Sequence, residues 1–283
     1  MSSQGMNRKR SIPKFGVGIV CFDTAEFMRF KVKQMVGLVD YIIVAMPTRG
    51  YLGRTVPDEV SKELHAMEKE GLIKLYCYEP YLCKTVEEAK LQEVELHNRL
   101  IFMLQSLGCK YAMISHSDEI VLREDFEFII NTCIEYKPII YFVKFRQYYK
   151  DTCWYCTGGM MRFMPTFVDT RYRISEKVHR SHSISNTRTY ILPEGYRSRF
   201  EKRKILLHHL SWVRKDLRTK LMLGYRFIGL NEGHIRRVLN SYNNLKEVDG
   251  KVRVWVARQS AHGAAFYSHC ERPFTLEEAS LQQ

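Results

Sequence analysis

Short apolar runs alternate with amphipathic stretches over the first half of this chain, and few folds satisfy that alternation. Residues 16–22 form a β-rich apolar run, followed by a helical pattern with Phe27, Phe30, Val32, Met35 and Val36 apolar. A second strand pattern spans residues 40–46 and stops at Pro47 and the Gly-rich turn 48–53. Pro57 opens a charged helix running to about Glu70, which Gly71 closes. Residues 73–78 read as a third strand. A long helix over 85–107 follows, ended by Gly108, with Glu88 three residues after Thr85 in capping-box spacing. A fourth strand comes next. Three βα units in succession predict a largely parallel, doubly wound sheet with right-handed crossovers.

The rhythm changes after a helical pattern at 126–133. Residues 139–149 are strongly β-forming, whereas 151–193 carry turn signals and no sustained helical period. Residues 206–212 form another apolar, strand-like run, followed by helical patterns near 215–223 and 232–245. The expected class is therefore α/β, with a doubly wound, mostly parallel sheet in the N-terminal half and a more irregular α+β C-terminal half. Residues 1–14 read as a disordered basic lead-in, 15–135 as the α/β half and 136–283 as its continuation. No internal repeat is apparent.

The fourth strand carries the chemistry. In Tyr111-Ala-Met-Ile-Ser-His-Ser-Asp-Glu119 an unbroken apolar run ends in adjacent carboxylates. Burying carboxylates is costly, so the strand is expected to reach the edge of its sheet before Asp118 and Glu119. Carboxyl ends of parallel strands open onto the crevice where α/β proteins bind ligands. Acidic oxygens there suit a hard divalent cation. The plain alternative is a solvated strand-to-helix turn, where negative charge favours the next helix start.

Composition narrows the setting. Of 283 residues, 45% are hydrophobic, enough for a substantial core. No apolar run is long enough to cross a bilayer, and the first 14 residues lack the apolar segment of a secretory signal. Eight cysteines at irregular spacing read as free thiols in a reducing compartment, so a cytoplasmic protein is expected. A formal net charge of +13 favours polyanionic partners. Between residues 171 and 204 basic side chains interleave with Tyr172, Tyr190, Tyr196 and Phe200, a pattern that suits phosphate contacts plus base stacking. A solvated basic surface with its aromatics turned inward is the alternative.

Several familiar site signals are missing. There is no Gly-rich phosphate loop ending in Gly-Lys-Ser/Thr, no Gly-x-Gly-x-x-Gly and no Gly-x-Ser-x-Gly elbow; Gly16 and Gly18 lie within a strand pattern. Any phosphate must be met by metal and basic side chains. Cys153 and Cys156, with His179 and His182 downstream, have ligand types for zinc but a longer gap than a usual finger. Leu207-His208-His209-Leu210-Ser211-Trp212 delivers two histidines at the end of a strand run, just before a basic helix. Either histidine is able to join Asp118 in a mixed imidazole–carboxylate site suited to manganese; a satisfied core histidine is the commoner outcome for an isolated motif.

These residues together resemble a known family. The order of elements, Asn98-Arg99 in the long helix, the 108–119 segment and His208-His-Leu-Ser-Trp-Val-Arg-Lys-Asp216 look like a GT-A-fold glycosyltransferase. The likeness is to the family-2-like group with an Asp-x-Asp-Glu acidic motif and a His-x-Ser-x-Val-Arg-Lys type segment, over roughly residues 15–225. It implies a nucleotide-sugar donor, most simply a UDP-sugar, whose diphosphate is held by Mn2+ or Mg2+, with 15–135 as the nucleotide-sugar-binding half and 136–283 binding the acceptor and completing the site. It makes Asp118 the metal ligand, His209 the second ligand with His208 as fallback, and Glu119 a neighbour facing donor or acceptor. Arg99 would lie near the donor phosphates, Arg214 and Lys215 beside the leaving diphosphate, and Phe22 and Asp23 near base and ribose. This chain departs from the pattern at His116, where the family has its first aspartate; an imidazole there is able to hydrogen-bond a ribose hydroxyl but lowers the local negative charge.

Sugar–phosphate cleavage leaves negative charge on the diphosphate, which a metal plus Arg or Lys stabilises. An inverting enzyme also needs a carboxylate base, and Glu119, Asp151 and Asp216 are the candidates. The expected acceptor is a macromolecular hydroxyl, with a hydroxymethylated pyrimidine in DNA as one concrete case. Alternatives are a glycan or protein hydroxyl at a membrane face, or a catalytically inactive nucleic-acid-binding module of the same fold.

Overall fold

The computed structural model describes residues 12–51, 53–156, 163–175, 190–201, 205–223, 231–244, 247–248, 251–255 and 264–269. The expected alternation is present. Strand β1 (Lys14–Val20) leads through α1 (Met28–Met35) to β2 (Tyr41–Pro47), and α2 (Asp58–Lys69) leads to β3 (Lys74–Tyr78). Helix α3 (Val86–Ser106) then crosses back to β4 (Cys109–His116). The α3 capping box is complete: Thr85 accepts from the Glu88 N–H, and the Glu88 carboxylate accepts from the Thr85 N–H. Gly71 and Gly108 terminate their helices at φ of 75° and 81°, conformations that a Cβ would strain.

These four strands pair in parallel in the order β3-β2-β1-β4. Side chains alternate between two cores, as a period of two demands. Phe15, Val17, Ile19, Tyr111 and Met113 face the helices α1, α2 and α4 (Arg123–Tyr136), while Val20, Ala112 and Ile114 face α3. Gly16 and Gly18 lie on the α3 side of β1. A Cβ on Gly16 would meet Leu104 Cδ2 at 2.5 Å and one on Gly18 would meet Leu100 Cβ at 3.0 Å, so bare backbone lets α3 pack close.

The sheet continues past β4 without a break. After the two-residue β5 (Glu119–Ile120) and α4 come β6 (Ile140–Tyr149), β7 (Asp151–Cys156) and β8 (Phe163–Asp169), with β8 antiparallel between β4 and β6. The 151–193 stretch, expected to be irregular, thus contains two strands. Pro165 sits inside β8 near a register shift against β6, and that proline obscures the strand pattern. Strand β9 (Ser198–Phe200) and strand β10 (Leu206–Trp212) both run parallel to β6. Helices α5 (Leu217–Leu223) and α6 (Glu232–Asn243) follow. The strands β11 (Glu247–Val248), β12 (Lys251–Trp255) and β13 (Ala264–His269) extend the edge beyond β7, an addition the sequence pattern did not announce.

Candidate functional site

Strand order reverses between β1 and β4: β1 hands on to β2 at one side, while β4 arrives on the other by way of α3. Crevices at such switch points are where open α/β sheets bind ligands. Asp23 follows the tip of β1, and Ser117 and Asp118 follow the tip of β4. The two tips are tied by the Ser117 N–H, which donates to the Val20 carbonyl at 3.0 Å.

Asp118 and Glu119 are buried, at 5% and 3% exposure, rather than solvated. Their burial is tolerated because each is partnered. Arg214 bridges the two tips: Nη2 lies 2.6 Å from Asp118 Oδ2 and Nη1 lies 2.8 Å from Asp23 Oδ1. Lys220 Nζ stands 3.7 Å from Asp118 Oδ2. Burial by itself raises the Asp118 carboxyl, but the charges around it, His209 when protonated and Lys220 and Arg214 throughout, outweigh burial and hold the group well below the usual carboxylate range. Burial lowers His209 itself to about 4 against the pull of Asp118 and Glu119. His209 is therefore neutral at pH 7, and the charge compensating Asp118 there is that of Arg214 and Lys220.

The downstream residues reach the site because β5 and β10 form a short antiparallel ribbon, pairing His209 with Glu119 and His208 with Ile120. The Leu210 N–H donates to the Asp118 carbonyl at 2.7 Å. Neighbouring residues of a strand face opposite ways, and the two histidines separate accordingly. His209 Nε2 lies 3.8 Å from Asp118 Oδ1. His208 turns to Tyr148, whose hydroxyl is 2.8 Å from His208 Nδ1, and burial takes this imidazole down to about 3.

Glu119, the first residue of β5, folds back on the end of β4, its Oε2 accepting the His116 N–H at 2.9 Å. Buried Lys31 on α1 closes the same turn, donating to Ser115 Oγ, the His116 carbonyl and the Glu119 carbonyl. Phe22 packs against Tyr51, ring centroids 5.0 Å apart and planes tilted by 31°. His116 Nε2 is 3.1 Å from Glu93 Oε1 on α3.

Other residues singled out in the sequence stand apart from this cluster. Arg99 Nη1 donates to the Tyr76 hydroxyl at 2.6 Å, towards β3. Asp216 accepts the Thr219 N–H at 2.9 Å and also the Thr219 hydroxyl, capping α5. Asp151 Oδ1 accepts the Thr152 N–H at 2.6 Å. Lys215 is exposed, and its backbone N–H donates to Glu26. The side chains of Cys153 and Cys156, and all of His179 and His182, lie outside the described residues, as do Lys177, Arg180, Arg188 and 202–204 of the basic stretch. Within that stretch Arg171 pairs with Asp169 at 2.9 Å and Arg199 lies 3.8 Å from the Tyr136 ring centroid.

A divalent ion fits the cluster in a limited way. Asp118 Oδ1 and the His209 imidazole offer one oxygen and one nitrogen, and His209 Nδ1 is a buried nitrogen with no hydrogen-bond partner among the described residues. Arg214 and Lys220 oppose a third cation beside Asp118. Two donors against two charges suit an ion that draws its remaining ligands from substrate phosphates.

Lys31, Lys220, Glu93 and His97 were missed by sequence reasoning. A signal existed for three of them. Lys31 sits inside the apolar pattern of α1, and Glu93 and His97 fall on the same α3 stripe as Ala89, Leu100 and Leu104.

No protein-family model matches the chain, and no curated protein matches it either. Solved structures do. The S. aureus TarS fragment 1–349 aligns over 82% of this chain and 71% of its own, at 11% identity and a TM-score of 0.43. The same fragment with UDP gives a TM-score of 0.44 at 11% identity, with 82% and 71% covered. The mannosyltransferase PcManGT from Pyrobaculum calidifontis, in complex with GDP-Man and Mn2+, covers 76% of this chain and 62% of its own at 9% identity and a TM-score of 0.43. Overlaps this loose do not decide an activity; the geometry of the cluster must carry it. Among the described residues no helix is long and apolar enough to cross a membrane.

Proposed function

We propose that the chain is a GT-A-type glycosyltransferase that binds a nucleotide-diphosphate sugar, a UDP-sugar first, in the crevice between the tips of β1 and β4. One observation carries the reading: Asp23, Asp118, His209 and Arg214, drawn from distant parts of the sequence, meet in a buried cluster at the switch point of the sheet. In this reading Phe22 and Asp23 meet base and ribose, and Asp118 Oδ1 and His209 hold Mn2+ or Mg2+ together with the donor. That ion would offset charge on the departing diphosphate. Arg214 and Lys220 are already desolvated beside the same point and stabilise the same charge without rearrangement. His116, Lys215 and Arg99 are retained as outer donor contacts, and Glu119, Asp151 and Asp216 as candidate bases. His208, bonded to Tyr148, supports the strand rather than the ion.

For the acceptor we propose a macromolecular hydroxyl on a polyanion, with hydroxymethylated pyrimidine in DNA as the specific substrate; the +13 net charge is what supports it. The deciding experiment presents a panel of nucleotide sugars with Mn2+ or Mg2+ and follows nucleoside diphosphate release. A donor that is bound and slowly hydrolysed supports the transferase. If none is bound or hydrolysed with any divalent ion, the catalytic reading fails and a non-catalytic module takes its place. Titration with duplex DNA at rising salt tests the acceptor: absence of binding at low salt removes DNA.

A further inference from the structure

Apart from Asp118, the chain contains a second convergence of metal-ligating groups. Glu93 and His97 stand four residues apart on α3, on one face of the helix. His116 reaches them from the last residue of β4. One carboxylate oxygen, Glu93 Oε1, faces two imidazoles by the same ring atom: His116 Nε2 at 3.1 Å and His97 Nε2 at 4.0 Å. The two rings are 5.6 Å apart between centroids and nearly perpendicular, at 76°, so they do not stack. All three ligand atoms lie within 4.8 Å of one another.

We propose that Glu93, His97 and His116 form a binding site for a first-row divalent cation of the zinc class. Two imidazole nitrogens and one carboxylate oxygen, with further positions open, are a donor set such ions accept. Ligand atoms bound to one such ion stand about 3–3.5 Å apart, given bond lengths near 2.1 Å, so closing this group takes movements of about 1 Å. The group also has the asymmetry of a site with an entrance. The Glu93 and His97 side chains are 3% and 0% exposed, whereas that of His116 is 31% exposed. An ion would enter past His116 and bring positive charge to the buried Glu93 carboxylate at the α3–sheet interface. Packing on the α3 stripe would call for apolar residues at 93 and 97; a carboxylate and an imidazole there, aimed at a third ligand from another element, are what a cation requires.

This site does not depend on the transferase assignment, because it is read by ion binding without any nucleotide sugar. The full chain, stripped with chelator, is titrated with Zn2+ by calorimetry and with Co2+ by visible absorption. The expected result is one tight equivalent, with the Co2+ spectrum of a four- or five-coordinate ion. His116→Ala should weaken this binding at least about 100-fold, beyond what loss of an outer-sphere partner costs. Glu93→Gln should do the same, and Asp118→Asn should leave it intact. His116 is partly exposed, so its variant should still unfold cooperatively in urea even if Glu93→Gln fails to fold. The proposal is overturned if the stripped chain binds no ion, if His116→Ala binds as the wild type does, or if the equivalent is lost in Asp118→Asn instead.

Discussion

Arg214 Nη2 lies 2.6 Å from Asp118 Oδ2, and its other terminal nitrogen lies 2.8 Å from Asp23 Oδ1. One guanidinium thus joins the tips of two parallel strands. Its planar fork is what permits two carboxylates to be met at once. Arg214→Ala strands buried Asp118 and part-buried Asp23 and should cost about 3–5 kcal/mol. Arg214→Lys retains the charge but reaches one partner only, so an intermediate loss is expected. Urea unfolding at pH 7 measures both; equal stability of wild type and Arg214→Ala would refute the bridge.

Lys31 is 1% exposed, and its ammonium donates to Ser115 Oγ and to the carbonyls of His116 and Glu119. Lys31→Met fills similar volume and leaves those acceptors without their donor. The expected cost is about 2–4 kcal/mol, since each orphaned buried acceptor bears its own desolvation. Because the turn carries Asp118, donor binding should weaken in the folded fraction as well, a loss that titration at low temperature would detect.

The two adjacent histidines should behave differently. His209→Ala removes a group 3.8 Å from Asp118 and should lower nucleoside diphosphate release at least about tenfold while leaving the fold intact. His208→Ala breaks the bond to Tyr148 and opens a cavity in the β6–β10 layer, so its main effect should be on stability, about 2–3 kcal/mol. Identical kinetic and stability profiles for the two variants would show that the alternation of β10 has no functional meaning.

Asp169 closes the β4–β8 seam, where Arg171 and Lys110 hold it. Burial opposes ionisation, yet the bonds from Arg171 and Lys110 dominate and lower its carboxyl. A depressed folded-state value contributes stability that is complete above the unfolded value near 3.9 and is lost as pH falls through the folded one. Asp169→Asn should therefore cost about 2 kcal/mol at pH 7, and the gap between variant and wild type should close below about pH 4. A gap that stays constant from pH 7 to pH 3 would mean the carboxylate charge is idle.

The parallel half was legible because its signals are local. Thr85 with Glu88 and the helix-ending Gly71 and Gly108 lie within a few residues of what they determine. The carboxylates following β4 were legible as a feature of the strand's end, and His209, named beside Asp118 through the family resemblance, does lie 3.8 Å from it. The residue pattern alone left open which of His208 and His209 faces Asp118, because a period of two assigns faces only after the register against β5 and β6 is known. Burial of Asp118 and Glu119 also escaped the sequence: it depends on Lys31 and Arg214, whose contacts depend on the tertiary fold. Strand β8 was hidden by Pro165, and no local pattern marked Glu93 and His97 as convergent with His116.

Asp118 and Arg214 are 96 residues apart in the chain. During synthesis the first four strands are able to pair well before β10 leaves the ribosome. Until then Asp118 lacks its guanidinium, and an unpaired carboxylate favours staying in water. Arrival of the arginine is thus a late checkpoint: Asp118 gains its guanidinium only in a molecule whose second half has already docked.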